Sequence, residues 1–312
     1  MTLLTPLAAG PAGYLHPAYA ASLATFGTPR HLPLADGWIL ERGIPGAQDR
    51  DAMGCYPIFA CRDWSRLHLD LDEIGKQLVS LVLVADPFGD YGPGDLQRCF
   101  PDLLTNFKEH FVISLASPLR SFVDTHHQRN ARKALRELTV ERCLDPPDLA
   151  GEWTELYAHL IARHDIRGPA AFSPLSLAQQ LRVPGLNLFC ARLDGEIVGM
   201  TLWYADDAAG YYHLGAYSER GYALRASFAL FWHALEYFAE AGVRQVDLGA
   251  GAGARAKETD GLSRFKRGWA TGTRTAYLCG RIFDPERYAA LTTASGAGGS
   301  GYFPAYRSGE FG

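Results

Sequence analysis

The alternation of apolar and polar positions divides the chain into segments of two periods. Leu78-Val-Ser-Leu-Val-Leu-Val-Ala85 is a nearly unbroken β-branched run, the pattern of a strand covered on both faces. Period-two runs at 188–193 and 196–204 flank Asp194-Gly195, and this predicts a hairpin because Asp-Gly tolerates the positive φ angles of a two-residue turn. A third strand is expected at 210–216 and another at 244–249. Between them Leu224, Phe228, Phe231, Leu235 and Phe238 recur at helical spacing with aromatics on nearly every side, predicting a buried helix over about 222–240. Strand, helix and strand together read as a crossover packed on a sheet.

Elsewhere the same reasoning predicts an edge strand at 37–41 and a strand at 56–61. A helix is expected at 95–108 and a strand at 110–115, so the first half reads as an α/β lobe. A basic helix at 125–138 is expected next, capped by Asp124 or Thr125. Ala131, Leu135 and Leu138 form its buried stripe, and Arg129, Arg132 and Arg136 share another face. A short strand at 141–143 and helices at 149–164 and 174–181 follow. The run Asp260-Gly-Leu-Ser-Arg-Phe-Lys-Arg-Gly-Trp269 is expected to hold a strand with Lys266 inward and Arg264 and Arg267 outward; an inward lysine is costly unless it is paired or used. Residues 292–301 read as a Gly/Ser linker, after which Tyr302, Phe303, Tyr306 and Phe311 are expected to dock on the body. The expected division is a lobe at 1–116, a second at 117–290 and a tail at 291–312.

Composition narrows the function classes. The 312 residues are 47% apolar, enough for two packed lobes. A formal net charge of −4 excludes a surface that is basic throughout, so nucleic acid would need a local patch. Two segments qualify: 120–142 has six Arg/Lys against three acids, and 255–287 has eight against four. Zinc-finger, RRM-like and homeodomain patterns are missing, so DNA is not an expected partner. No apolar run is long enough to span a membrane, and the first residues do not read as a signal peptide. The six cysteines lack a C-x-x-C pair and read as reduced core thiols, which places the protein in the cytoplasm. His126, His127, His159 and His164 lack the further ligands of a zinc site, read as surface histidines, and imply no metal. Gly249-Ala-Gly-Ala-Gly253 follows a strand but precedes no apolar helix, so it reads as a connector or a flexible anion-binding loop and not as a dinucleotide fingerprint.

The order of hairpin, third strand, buried helix and further strand resembles the acyltransferase fold of the GNAT superfamily. In detail it is similar to the Fem-type branch, where two such lobes are fused and which includes peptidyltransferases that add amino acids to cell-wall precursors. The resemblance is carried by Arg129-Asn-Ala-Arg-Lys-Ala134, Tyr212-His-Leu-Gly-Ala216, Val246-Asp-Leu-Gly249 and Asp260-Gly-Leu-Ser-Arg-Phe-Lys-Arg-Gly268, and it covers roughly 117–283. It implies an α/β (α+β) fold of two GNAT-like lobes, the first degenerate, each a mixed and largely antiparallel sheet with flanking helices. One departure stands out. Acetyl-CoA enzymes of the superfamily hold pyrophosphate on Arg/Gln-x-x-Gly-x-Gly/Ala at the start of the helix, where this chain has Glu219-Arg-Gly-Tyr-Ala-Leu-Arg225.

The chemistry implied is attack of a neutral amine on a thioester or ester carbonyl, with loss of a proton and a transient oxyanion. Lys266, by resemblance, or backbone N–H groups near 213–216 would stabilise the oxyanion, and Asp247 or His213 would relay the proton. Arg225 with Arg129 or Arg132 would hold a phosphate or carboxylate. Tyr212, Gly249, Gly251, Arg264 and Arg267 complete the expected binding set. The acyl donor is acyl-CoA or aminoacyl-tRNA. The acceptor is an amine of a small metabolite or a cell-envelope precursor. A catalytically degenerate binding protein with this fold is the remaining alternative.

Overall fold

The computed structural model describes residues 10–206, 208–251 and 260–310. The end of the glycine loop, at 252–259, and Phe311 of the tail lie outside them. In chain order the elements are α1 (Pro17–Ser22), β1 (Thr28–Leu32), β2 (Gly37–Gly43), β3 (Arg50–Gly54), α2 (Leu67–Ile74), β4 (Ser80–Val84) and α3 (Pro93–Cys99). Next come β5 (Leu103–Ser114), α4 (Leu119–Phe122), α5 (Thr125–Ala134), β6 (Thr139–Cys143), α6 (Ala150–His164) and α7 (Pro174–Gln180). Then follow β7 (Leu186–Leu193), β8 (Glu196–Ala205), β9 (Ala209–Tyr217), α8 (Glu219–Ala223) and α9 (Ala226–Glu240). The last are β10 (Gln245–Asp247), α10 (Gly261–Arg267), β11 (Gly272–Ile282) and α11 (Pro285–Ala294).

Two compact units emerge. One contains Tyr14–Phe107, Arg167–Ser176 and the chain from Thr275 onward. Its strands run in the order β1-β2-β3-β4-β11, antiparallel except for β3 beside β4, which α2 connects. Leu81, Leu83, Leu67, Leu71, Phe59 and Phe100 form its core. β2 is an inner strand, paired on both sides, and not the expected edge. Residues 56–61 are not a strand; only single bridges form, Phe59 to Ala85 and Gly37 to Cys61. The helix expected at 95–108 ends at Cys99, because Pro101 cannot continue it, and β5 starts at Leu103. At the C-terminus α11 takes in the first residues of the expected linker. Beyond it Tyr306 is buried, its hydroxyl 2.7 Å from that of Ser80, and Arg307 is buried against Asp51.

The other unit contains Lys108–Ile166 and Leu177–Arg274 with residues 10–13. Its order is β5-β10-β9-β8-β7-β6, again antiparallel except for one pair, β9 beside β10, which α9 connects. The hairpin turn forms as expected, with φ of 51° at Asp194 and 88° at Gly195. Phe189, Ala191, Trp203 and Ala205 point to α9, whose Phe231, Leu235 and Phe238 meet them in one cluster. Each such buried side chain contributes on the order of 2 kcal/mol. Leu188, Cys190, Leu202 and Tyr204, of the opposite parity, are equally buried, and α6 packs on β8 and β9. The sheet is therefore covered on both faces.

Three expectations in this unit change. The helix at 222–240 is interrupted: α8 ends at Ala223, and Arg225, at φ 60° in the left-handed region, starts α9. The stripe on α5 consists of His127, Asn130, Ala131 and Ala134, while Leu135 lies past the helix end and is exposed. His127 is thus a buried residue and not a surface histidine: its Nε2 is 2.9 Å from the Phe265 carbonyl, and its ring packs on Phe228 and Trp269. Finally, 260–269 forms the helix α10 and not a strand, because Asp260 accepts the Ser263 N–H as an N-cap.

Candidate active site

The site is built where two strands part. The parallel ladder between β9 and β10 covers only Gln245↔Ala209, Val246↔Gly210 and Asp247↔Tyr211, and β9 then runs on to Tyr217 beside β8. β10 stays with β5, whose Phe111 accepts from the Leu248 N–H and donates to the Gly249 carbonyl. The pairing ends there, leaving a notch in the ladder between Tyr212 and residues 249–251. Gly249 turns the chain there at φ 72°, and a Cβ on it would lie 3.3 Å from Lys266 Nζ.

Lys266 enters this notch from α10. Helical spacing puts Ser263 and Lys266 inside and leaves Arg264 and Arg267 exposed; the expected strand could not have made this split, because residues 264 and 266 share a strand face. Nζ donates to the Ala250 carbonyl at 2.7 Å and lies 5.6 Å from the centre of the Tyr212 ring. Lys266 is 6% exposed. Burial pushes its amine down to about 8; Asp247 and Asp260 oppose the shift, and Lys108 adds to it. The group is mainly ammonium at neutral pH and has two N–H donors beyond the one given to Ala250. Burial raises the Tyr212 hydroxyl, which is hydrogen-bonded to Tyr217, so it stays protonated.

Asp247 closes β10 and is doubly engaged. Its Oδ1 accepts the Gly249 N–H at 2.7 Å, and its Oδ2 lies 2.8 Å from His110 Nδ1. Both partners are buried. Asp247 pairs with Val112 across the sheet, so His110, two residues earlier on β5, is its diagonal neighbour on the same face. Lys108 belongs to that parity as well, and burial lowers its amine against the pull of Asp260. Sequence reasoning missed both residues. The local signal was weak: Lys108, Glu109 and His110 are consecutive polar residues with no alternation to mark a face, and they were divided between an expected helix and an expected strand.

The remaining candidates lie elsewhere. His213 is a buried residue whose Nε2 meets Gln180 Oε1 at 3.0 Å and whose ring packs on Tyr204; burial pushes it down to about 3, so it is neutral. Successive side chains alternate, so Tyr212 and His213 leave β9 on opposite faces, and only Tyr212 neighbours Lys266. Arg129 and Arg132 are exposed on α5. Arg267, exposed on α10, has its guanidinium 5.7 Å from the Phe111 ring centre. Gly251 follows Ala250 in irregular chain, next to residues outside the described set. Arg225 caps α9 through its backbone alone. Three N–H groups of the turn before it are used internally: Ser218 Oγ accepts the Gly221 N–H, the Ser218 carbonyl accepts from Tyr222, and the Arg220 carbonyl accepts from Leu224. Among the described residues, no group of three or more His, Cys, Asp or Glu is placed to hold a metal, and no helix is long and apolar enough to cross a membrane.

Residues 125–267 match the family described as the acetyltransferase (GNAT) domain. No curated protein matches the chain. Among solved structures it is similar to FemX, with a TM-score of 0.66 and 16% identity over 90% of this chain and 95% of that one. It is also similar to the C-terminal domain of a putative lysylphosphatidylglycerol synthetase from Agrobacterium fabrum, with a TM-score of 0.60 and 18% identity over 89% and 91%. L-PGS from Bacillus licheniformis gives 0.57 and 13% over 88% and 94%. At these identities the likeness is one of fold.

Proposed function

The chain carries a GNAT acyltransferase domain within a Fem-type fold, and from that premise we propose that it transfers an aminoacyl group from the ester of an aminoacyl-tRNA to an amine. The observation that carries the chemistry is the buried Lys266 ammonium at the parting of β9 and β10. An acyl carbonyl in that notch meets a charged donor in a water-poor site, where oxyanion stabilisation is strongest. As the amine attacks the carbonyl carbon, negative charge develops on the oxygen and Lys266 holds it. Collapse of the intermediate expels the ribose oxygen of the donor.

The choice of donor rests on the turn before α9. In the acetyl-CoA members of the superfamily that turn presents unpaired N–H groups to pyrophosphate. Here α8 fills it and uses Gly221, Tyr222 and Leu224 N–H groups internally, while the acidic Glu219 stands at its start, paired with Arg163. The name of one solved relative, a putative lysylphosphatidylglycerol synthetase, agrees with an aminoacyl substrate. The acceptor amine belongs to a small metabolite or a cell-envelope precursor. Transfer from acyl-CoA is the second reading, favoured by the description of the matched family.

The test is transfer of radiolabelled acyl groups from mixed aminoacyl-tRNAs and, separately, from acetyl-CoA to a pool of amines. Transfer from aminoacyl-tRNA that ribonuclease abolishes is expected. Transfer from acetyl-CoA that ribonuclease leaves untouched would replace this reading with the second.

A further inference from the structure

The pair His110 and Asp247 has a chemical consequence beyond the lysine. An ionised carboxylate only accepts hydrogen bonds, so the 2.8 Å contact to Asp247 Oδ2 requires the proton of the His110 ring on Nδ1. In the neutral imidazole the lone pair is then on Nε2, the state of a base oriented by a carboxylate. Asp247 cannot serve as that base without losing a partner, because its other oxygen holds the Gly249 N–H at 2.7 Å. His213 is a poor alternative, with its Nε2 already against Gln180 Oε1. Of the two histidines buried on this sheet, His110 is the one placed at the strand parting.

We propose that His110 is the catalytic proton acceptor of the transfer reaction and that Asp247 is its positioning residue. The inference rests on the acyl-transfer reading above. The amine nitrogen forms a bond to the acyl carbon, and the carbonyl π pair moves to oxygen, where Lys266 meets it. His110 Nε2 takes the proton that the nitrogen can no longer keep. When the C–O bond to the donor breaks, the leaving ribose oxygen recovers that proton from the imidazolium, and the ring returns to its starting state. Among the described residues, the charged groups linked to the pair are Lys266 of α10, which interacts with Asp247, and, through Lys266, Lys108 on the strand of His110 and Asp260 at the cap of α10.

The first arm of the test needs no substrate. Two-bond 1H–15N correlation on the full-length protein labelled at histidine reads the tautomer of each ring, with His110→Gln assigning the His110 signals. The Nδ1–H tautomer with an unprotonated Nε2 is expected at pH 7.5, and it should be lost in Asp247→Asn. An Nε2–H tautomer would overturn the proposal whatever the substrate. The second arm uses mixed aminoacyl-tRNAs and the amine pool. His110→Gln, whose amide can still donate to Asp247, should lower the transfer rate roughly a hundredfold, and the acid limb of the pH–rate profile should disappear. Added imidazole should restore rate to His110→Ala, which a purely structural role does not predict. Wild-type rate in folded His110→Gln would overturn the proposal. If the unmodified protein transfers nothing from either donor, the acyl-transfer reading fails, and the ring measurement alone decides whether His110 has the state assigned to it.

Discussion

Lys266 Nζ donates to the Ala250 carbonyl at 2.7 Å, and this bond fixes a buried ammonium beside the point where β9 and β10 separate. Met keeps the length of the side chain and removes the charge. Lys266→Met should therefore fold and lose transfer rate by roughly two orders of magnitude or more, the size of effect seen when an oxyanion donor is removed. Circular dichroism checks the fold and single-turnover transfer checks the rate. Full activity in a folded variant would exclude Lys266 from the mechanism.

The pH dependence follows from the direction of the Lys266 shift. Burial lowers the amine from 10.5 to about 8, so the oxyanion donor is lost as pH rises through about 8, and activity should fall on that side. Stability moves the other way. Below about pH 8 the amine is charged in both folded and unfolded chains and the fold bears its burial; above 10.5 it is neutral in both. Between these values the unfolded state binds more protons, so stability should rise with pH, by at most about 3 kcal/mol. Urea denaturation from pH 7 to 10.5 should show that rise in the wild type and not in Lys266→Met.

The turn that occupies the phosphate place makes its own prediction. A Cβ on Gly221 would come within 2.0 Å of the Val198 carbonyl oxygen, a backbone atom and not the end of a flexible side chain that could yield. Gly221→Ala should cost on the order of 2 kcal/mol or shift α8 bodily. Thermal denaturation reads the cost. A variant as stable as the wild type would mean that α8 is loosely held, and would weaken the argument against a CoA pyrophosphate at this place.

How much was legible in the sequence depended on whether local pattern and tertiary context agreed. The hairpin around Asp194-Gly195 and the strand at 78–85 were legible because turn chemistry and β-branched runs act locally. The inward position of Lys266 was legible, but its helix was not: one N-cap contact from Asp260 decides between helix and strand over seven residues. The break at Arg225 was hidden because the apolar period continues through it from Leu224 to Phe228, and only the backbone reverses. The pairing of His110 with Asp247 joins positions 137 apart, which no local pattern specifies.

In the smaller unit the C-terminal segment is held by charge as well as by aromatics. Arg307 places Nε and Nη2 on Asp51 at 2.5 and 2.9 Å and gives Nη2 to the Gly43 carbonyl, and both charged residues are buried. Removing one partner takes from the other its shortest ion pair, leaving Arg42 Nε 3.4 Å from Asp51 or Glu310 Oε1 2.9 Å from Arg307 Nη1. Arg307→Met should destabilise by about 3 kcal/mol, whereas Asp51→Leu combined with Arg307→Met should cost less than the sum of the single changes. Urea unfolding of the four proteins checks this, and strict additivity would mean that the two side chains do not depend on each other.

Binding of tRNA should depend on α5 and α10, which share one side of the larger unit. His127 holds the Phe265 carbonyl from α5, and the Asp124 N–H reaches the Gly268 carbonyl at the end of α10. Arg129, Arg132, Lys133 and Arg136 are exposed on and just after the first helix, and Arg264 and Arg267 on the second. With a net charge of −4 the chain as a whole does not attract RNA, so affinity has to come from such a local set. Each phosphate neutralised releases condensed counterions, so the logarithm of affinity should fall linearly with that of salt concentration, by roughly 0.7 to 0.9 per contact. Replacing Arg129, Arg132 and Arg136 by Gln should reduce that slope by roughly two and leave the fold intact, because none of the three is buried. Fluorescence titration of deacylated tRNA at several salt concentrations measures both slopes. An unchanged slope would exclude α5 from the RNA interface, and an absent salt dependence in the wild type would argue for the smaller acyl-CoA donor.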